Sequence, residues 1–210
     1  MSRLNGFLQL VKALAEYNDG MFDGCVIAKA LWNVSGEYAY IESALIKQRP
    51  GYAVIRVTGR NPDKNGEGFL QITLWKPKGQ RKASKECMEH EKKQHEKKQH
   101  GITLKMPGDC SDAEDTITLT QKQVDRYLDL VQDTNPIHRG RNAIVPGLYV
   151  LHELQNRKLL RGFFTECASY EAAFHQPLPV DVSCQIQVEN DRVRLVLADT
   201  TYFTIHKRVE

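Results

Sequence analysis

Asp133, Asn135, Pro136 and His138 fall within six consecutive residues, Asp-Thr-Asn-Pro-Ile-His. A carboxylate and an imidazole can accept and return protons near neutral pH, so together they could activate a water or take up a departing hydroxyl. Both must then face one cavity, whereas in a regular helix positions five apart are rotated by about 140°. Pro136 removes that difficulty. It lacks an N–H, fixes its own φ and pushes Asn135 out of the helical region. The spacing therefore predicts a helix that closes at Asp133 and a new segment that opens at His138, with the two side chains free to share a pocket.

The neighbouring residues supply elements that could hold this pair. Thr116 to Leu119 reads as a short strand. Thr120 and Gln123 form a T-x-x-Q capping box, and Val124, Tyr127, Leu128 and Val131 give a helical stripe leading to Asp133. Downstream, Pro146 sits at a first helical position. Leu148, Tyr149, Val150, Leu151 and Leu154 then make a helix apolar nearly all round, with Arg157, Lys158 and Arg161 in its last turns and Gly162 at its end. A helix of that kind must be wrapped by other structure. Alternation from Val180 to Val188, a turn at Asn190-Asp191, further alternation at Val193, Leu195 and Leu197, and a closing run from Thr200 to Arg208 supply strands to wrap it.

The first half has the same order. Leu4, Phe7, Leu8, Val11, Leu14 and Ala15 make a helical stripe over residues 2–17, and strand-like runs follow near 25–33, 38–47, 52–60 and 68–76. A buried helix followed by antiparallel strands thus occurs twice, which predicts an α+β chain built from a repeated unit.

Composition bounds the rest. The 210 residues are 41% hydrophobic, enough for a globular core, and no apolar run approaches the length of a membrane span. The first helix carries Lys12 and Glu16 where a signal peptide would be apolar, so a cytoplasmic location is expected. The five cysteines are scattered and never form C-x-x-C, so free thiols are expected. The net charge is +3, yet residues 78–100 alone hold eight Lys/Arg against four Glu. The basic excess belongs to a solvated linker, which argues against a nucleic-acid surface. Cys87, His90, His95 and His100 on that run lack the spacing of a tetrahedral metal site, and no metal is expected.

The run from Tyr127 through Asp133-Thr-Asn135-Pro136-Ile137-His138, followed by Ile144-Val-Pro146-Gly147-Leu, resembles the hydratase motif of the MaoC-like hot-dog proteins. These include the (R)-specific 2-enoyl-CoA hydratases and related 3-hydroxyacyl dehydratases. Phe174-His-Gln-Pro177-Leu-Pro-Val180 is similar to that family's Phe-x-x-Pro-Val strand lining the thioester cleft. The resemblance covers residues 116–208, about one hot dog, and implies an antiparallel sheet wrapped around a central helix. It also implies a hydro-lyase that interconverts 2-enoyl and 3-hydroxyacyl thioesters, on coenzyme A or acyl carrier protein, without metal or redox cofactor. Asp133 and His138 would hold and activate water, Asn135 would orient them, and Gly147 would donate its N–H to the thioester carbonyl. Two positions depart from the pattern. Gln132 stands where the family carries a small residue, and the stretch from His138 to Gly147 is short, as in bacterial 3-hydroxyacyl-carrier-protein dehydratases. Those place a Glu on the central helix where His152 stands here, one residue before Glu153.

By the same resemblance the chain would be a tandem double hot dog. Residues 1–77 would be a degenerate half that makes room for the acyl chain, 78–115 a charged linker and 116–210 the catalytic half. The outcome would be an intrachain pseudo-dimer, or a homodimer if the first half is not a hot dog. Arg139 and Arg141 could meet the phosphates of the carrier, although exposed loop arginines are common. Tyr149 and His152 would line the cleft wall against substrate. Two other readings stay open: a thioesterase using Glu153 or Asp133 to activate water, and a module that binds acyl thioesters without turnover.

Overall fold

A computed structural model describes residues 5–18, 20–34, 36–62, 66–77, 115–165 and 168–208. Helix α1 (Gly6–Asn18) leads into strands β1 (Val26–Asn33), β2 (Tyr40–Arg49), β3 (Tyr52–Asn61) and β4 (Gly66–Trp75). The second half runs β5 (Thr116–Thr118), α2 (Gln121–Val131), a 3-10 turn at Pro136–His138, α3 (Gly147–Gln155), a 3-10 turn at Lys158–Leu160, then β6 (Ser169–Phe174), β7 (Ser183–Glu189), β8 (Arg192–Leu197) and β9 (Thr200–Arg208). Residues 1–76 and 114–210 belong to one compact unit. The charged run at 78–100, with Cys87 and its histidines, lies outside the described residues, as do Cys110 and Cys167. Cys25 and Cys184 are free thiols.

The strands form one antiparallel sheet in the order β2-β3-β4-β1-β6-β9-β8-β7-β5. At its centre β1 pairs with β6, Lys29 opposite Ala173 through Trp32 opposite Tyr170. Outward from this seam each side presents the same succession: the first strand after a buried helix, then the fourth, third and second. Period-two alternation explains why one face is buried. Ala30 and Trp32 on β1, Ile55 and Val57 on β3, Leu70 and Ile72 on β4, Tyr170 and Ala172 on β6, Val193 and Leu195 on β8, and Phe203 and Ile205 on β9 are all buried. Across the seam Trp32 lies 5.5 Å from Tyr170, and Lys29 forms an ion pair with Glu171 at 2.8 Å.

That buried face receives two helices. No residue of α3 is exposed, and among the described residues of α1 only Glu16 is. The all-round apolar pattern of α3 therefore follows from its being enclosed. None of the described helices is long and apolar enough to cross a membrane.

Three local expectations are corrected. The central helix stops at Gln155, because Asn156 donates its side-chain amide to the His152 carbonyl and the following 3-10 turn carries Leu160 fully into the core. Pro146 is the N-cap, which makes Gly147 the first helical residue. Val180–Val182 form a turn with Asp181 at φ 61°, and β7 begins only at Ser183. That turn is anchored on both sides of α2's start: the Asp181 N–H donates to Leu119, and its carboxylate accepts the Gln121 N–H.

Candidate active site

The Asp133–His138 loop is held at both ends. At the start of α2 the Thr120 hydroxyl accepts the Gln123 N–H at 3.3 Å, and Gln123 Oε1 accepts the Thr120 N–H at 2.8 Å, completing the capping box. The helix ends at Val131, two residues before Asp133, with Gln132 as its cap. Gln132 takes the left-handed conformation (φ 61°, ψ 35°), and the N–H groups of Gln132 and Asp133 both return to the Leu128 carbonyl. Left-handed backbone favours glycine, which explains why a small residue suits this position and why Gln132 strains it.

Past the helix, the Asn135 N–H donates to Asp133 Oδ1 at 2.9 Å, and Pro136 begins the 3-10 turn that ends at His138. Asp133 is thereby fixed by one carboxylate oxygen and keeps Oδ2 for other work. His138 is buried and oriented by backbone. Its Nδ1 donates to the Ile144 carbonyl at 2.8 Å, while Gln121 Nε2 donates to the His138 carbonyl at 3.3 Å. Ile144 donates its own N–H to Ile137 at 3.1 Å, closing the short loop back on the turn.

With the proton on Nδ1, Nε2 presents a lone pair. It faces Asp133 Oδ2 at 4.0 Å, a separation that one small oxygen atom can bridge from the side. Burial lowers the pKa of His138, outweighing the upward pull of its bond to Ile144 and of the Asp133 charge. The imidazole is therefore neutral near pH 7, and the pair is a carboxylate beside a neutral base rather than an ion pair.

The Asn135 side chain works elsewhere. Its Oδ1 accepts the N–H of Gly24 at 3.3 Å and of Ile137 at 3.4 Å, and its Nδ2 donates to the Cys25 carbonyl at 3.4 Å. It clamps the turn between α1 and β1 onto the loop of the second half. Cys25 also lines a cavity of about 550 Å³, together with Phe22, Arg49, Tyr52 and Lys76.

Gly147 lies at the N-terminus of α3, where the first amides have no partner within the helix. Its lack of a side chain is needed here: a Cβ would stand 2.5 Å from Cε1 of Phe174, whose ring stacks on Phe203 at 5.6 Å. Two residues on, Tyr149 stacks on Tyr127 of α2 at 4.4 Å, and its hydroxyl donates to Glu153. Burial and Glu153 push the Tyr149 pKa up to about 12. His152 lies parallel to Phe7 of α1 at 6.4 Å and tilted against Tyr127 at the same distance, and burial lowers its pKa. Burial raises that of Glu153, partly offset by Arg157.

Asp133, Asn135 and His138 thus gather in one loop, and Ile144, which fixes His138, stands three residues before Gly147. Tyr149 and His152 form a layer with Tyr127 beneath that helix terminus. Arg139 is engaged by Asp129 at 3.2 Å, while Arg141 is exposed. The sequence places Tyr127 in a packing stripe and at the start of the run that resembles the hydratase motif, without a role of its own. Its hydroxyl is buried without a hydrogen-bond partner, a property that no residue pattern signals.

No protein-family model and no curated protein matches the chain by sequence. Solved structures do match in shape. HtdX from Mycobacterium tuberculosis superposes with a TM-score of 0.61 at 11% identity, over 99% of this chain and 89% of that one. A MaoC-like dehydratase from Phytophthora capsici gives 0.51 at 12% identity, over 89% and 70%. A candidate oleoyl thioesterase from Lactobacillus plantarum gives 0.51 at 10% identity, over 96% and 82%. Identities this low carry the architecture alone. A large antiparallel sheet closed on buried helices, shared with these proteins, makes this chain an α+β hot-dog fold.

Proposed function

We propose that the chain adds water reversibly to 2-enoyl thioesters, giving 3-hydroxyacyl thioesters, with Asp133 and His138 as the reacting pair. The observation that carries this reading is the 4.0 Å space between Asp133 Oδ2 and His138 Nε2, both acceptors fixed from behind by backbone groups. A water placed there donates one hydrogen to each. As its oxygen bonds to C3 of the enoyl group, His138 Nε2 takes one proton, and charge moves through C2 to the thioester oxygen. The Gly147 N–H and the dipole of α3 stabilise that oxygen. The proton then returns from the imidazolium to C2, leaving the pair as it began. Elimination runs the same steps backwards, with Asp133 stabilising the imidazolium throughout. No metal or redox partner enters this balance.

The repeated strand order on either side of the β1–β6 seam supports a tandem double hot dog. Residues 1–77 would be its non-catalytic half, 78–115 its linker and 116–210 its catalytic half, joined as an intrachain pseudo-dimer. The first half would give the substrate's chain its room. The carrier would be coenzyme A or acyl carrier protein.

The test follows the loss of enoyl absorbance with crotonyl and longer thioesters. Turnover by the wild type, abolished in the Asp133→Asn, His138→Ala double variant, is the expected result; full activity in that variant overturns the pair. A thioesterase reading draws on Glu153, a half-buried carboxylate whose pKa is raised by burial. Release of free thiol without hydroxyacyl product would favour it.

A further inference from the structure

Strands β2 and β5 close the two ends of the sheet, and they are edges of different kinds. β5 is three residues long, which is one way a protein blunts an edge. β2 runs for ten residues, none of them buried, with Tyr40 68% and Ile46 57% exposed. Among the described residues it pairs with β3 alone, so its outer N–H and C=O groups form a long open template. Pairing with β3 sorts its side chains by face. Tyr40, Glu42, Ala44, Lys47 and Arg49 lie on one, and Ile41, Ser43, Leu45 and Gln48 on the other, with Ile46 passed over as a bulge.

That order of side chains is self-complementary. Turned antiparallel against itself over its full length, β2 sets Ala44 opposite Ala44, Glu42 opposite Lys47 and Tyr40 opposite Arg49, while Ser43 meets Leu45 and Ile41 meets Gln48. Every opposed pair then shares a face, as antiparallel pairing requires, and the smallest side chain falls on the two-fold axis. Neither Glu42 nor Lys47 has an ion pair with any described residue. Lys47 Nζ lies over the Tyr52 ring at 5.9 Å, which keeps it on the face that Glu42 shares. A lone lysine discourages edge pairing, but a glutamate at the mirrored position makes it a register device. We propose that β2 pairs antiparallel with β2 of a second copy, giving a two-fold dimer whose sheet runs unbroken through both chains. Symmetry then repeats the Glu42–Lys47 contact on either side of the axis. No residue of the Asp133–His138 loop takes part, so the surface stands apart from the reaction proposed above.

The experiment is sedimentation velocity of the full chain across the micromolar range. The wild type should sediment as a dimer in equilibrium with monomer. Glu42→Lys and Lys47→Glu each set like charges opposite one another twice per dimer, and each should raise the dissociation constant by about tenfold or more. The exchanged variant, Glu42→Lys with Lys47→Glu, restores opposite charges at both places. Its constant should return near the wild-type value, which shows that the single variants lost the interface and not the fold. A wild type that stays monomeric throughout, single variants as tightly dimeric as the wild type, or an exchanged variant as weak as the single ones would overturn the proposal; the second result would place the dimer on another face.

Discussion

His138 donates its Nδ1 proton to the Ile144 carbonyl across 2.8 Å, and this bond decides which ring nitrogen is left with a lone pair. The two nitrogens can be separated by substitution. An asparagine amide can keep a donor near Nδ1 while removing Nε2. His138→Asn should therefore fold with nearly wild-type stability yet lose about 100-fold or more in kcat. His138→Ala strands the Ile144 carbonyl as well and should cost a further 1–3 kcal/mol, roughly, in urea unfolding. Equal stability of the two variants would show that the bond to Ile144 does not hold the loop.

Asn135 ties the loop to the first half through Gly24 and Cys25. Asn135→Ala removes these bonds and leaves the Cys25 carbonyl and Gly24 N–H without their partner. We expect a loss of about 1–3 kcal/mol in stability, read by chemical denaturation, together with a fall in turnover as the loop loosens. Asn135→Asp keeps the acceptor but not the donor to Cys25, and should fall between the two.

Burial lowers the pKa of both His138 and His152. Each folded value lies below the unfolded one, about 6.5, so between the two the unfolded chain binds more protons. Their contribution to stability is complete above the unfolded value and is lost as pH falls through the folded ones. Unfolding free energies measured from pH 7.5 down to 5 should decline, and the decline should be shallower in His138→Asn and in His152→Gln. An unchanged slope in both would show that these imidazoles do not control it.

Gln132 holds φ 61° with a side chain that the left-handed region disfavours. Gln132→Gly should raise stability by about 0.5–1 kcal/mol, the relief of strain being partly offset by the greater freedom of unfolded glycine. The melting temperature reports this directly; a decrease would mean that the Gln132 side chain makes compensating contacts.

Much of this arrangement was legible in the residues, because period and turn chemistry were strong where they mattered. The T-x-x-Q box, the stripe through Val131, the break at Pro136 and the closing strand to Arg208 all match the observed elements. Strand β6 was not foreseen, since Ala172 and Ala173 give alternation too little contrast to register. The end of α3 was missed because burying Leu160 outweighed continued helical pairing. Within the site, the gathering of Asp133 and His138 followed from proline geometry. The first-half partners of Asn135, Gly24 and Cys25, lie 111 and 110 residues away and could not be read from local spacing. The bare hydroxyl of Tyr127 was equally hidden, since a phenol in an apolar stripe reads as packing.

The β1–β6 seam makes neither half self-sufficient. Four residue pairs, the Lys29–Glu171 ion pair and the Asn135 clamp join them, and a separated half would present a bare strand edge at the centre of its sheet. If the polypeptide were severed between Trp75 and Thr116, the proposed activity would become a matter of mass action: the fragments would have to find each other, and turnover would rise with the product of their concentrations until the seam was saturated.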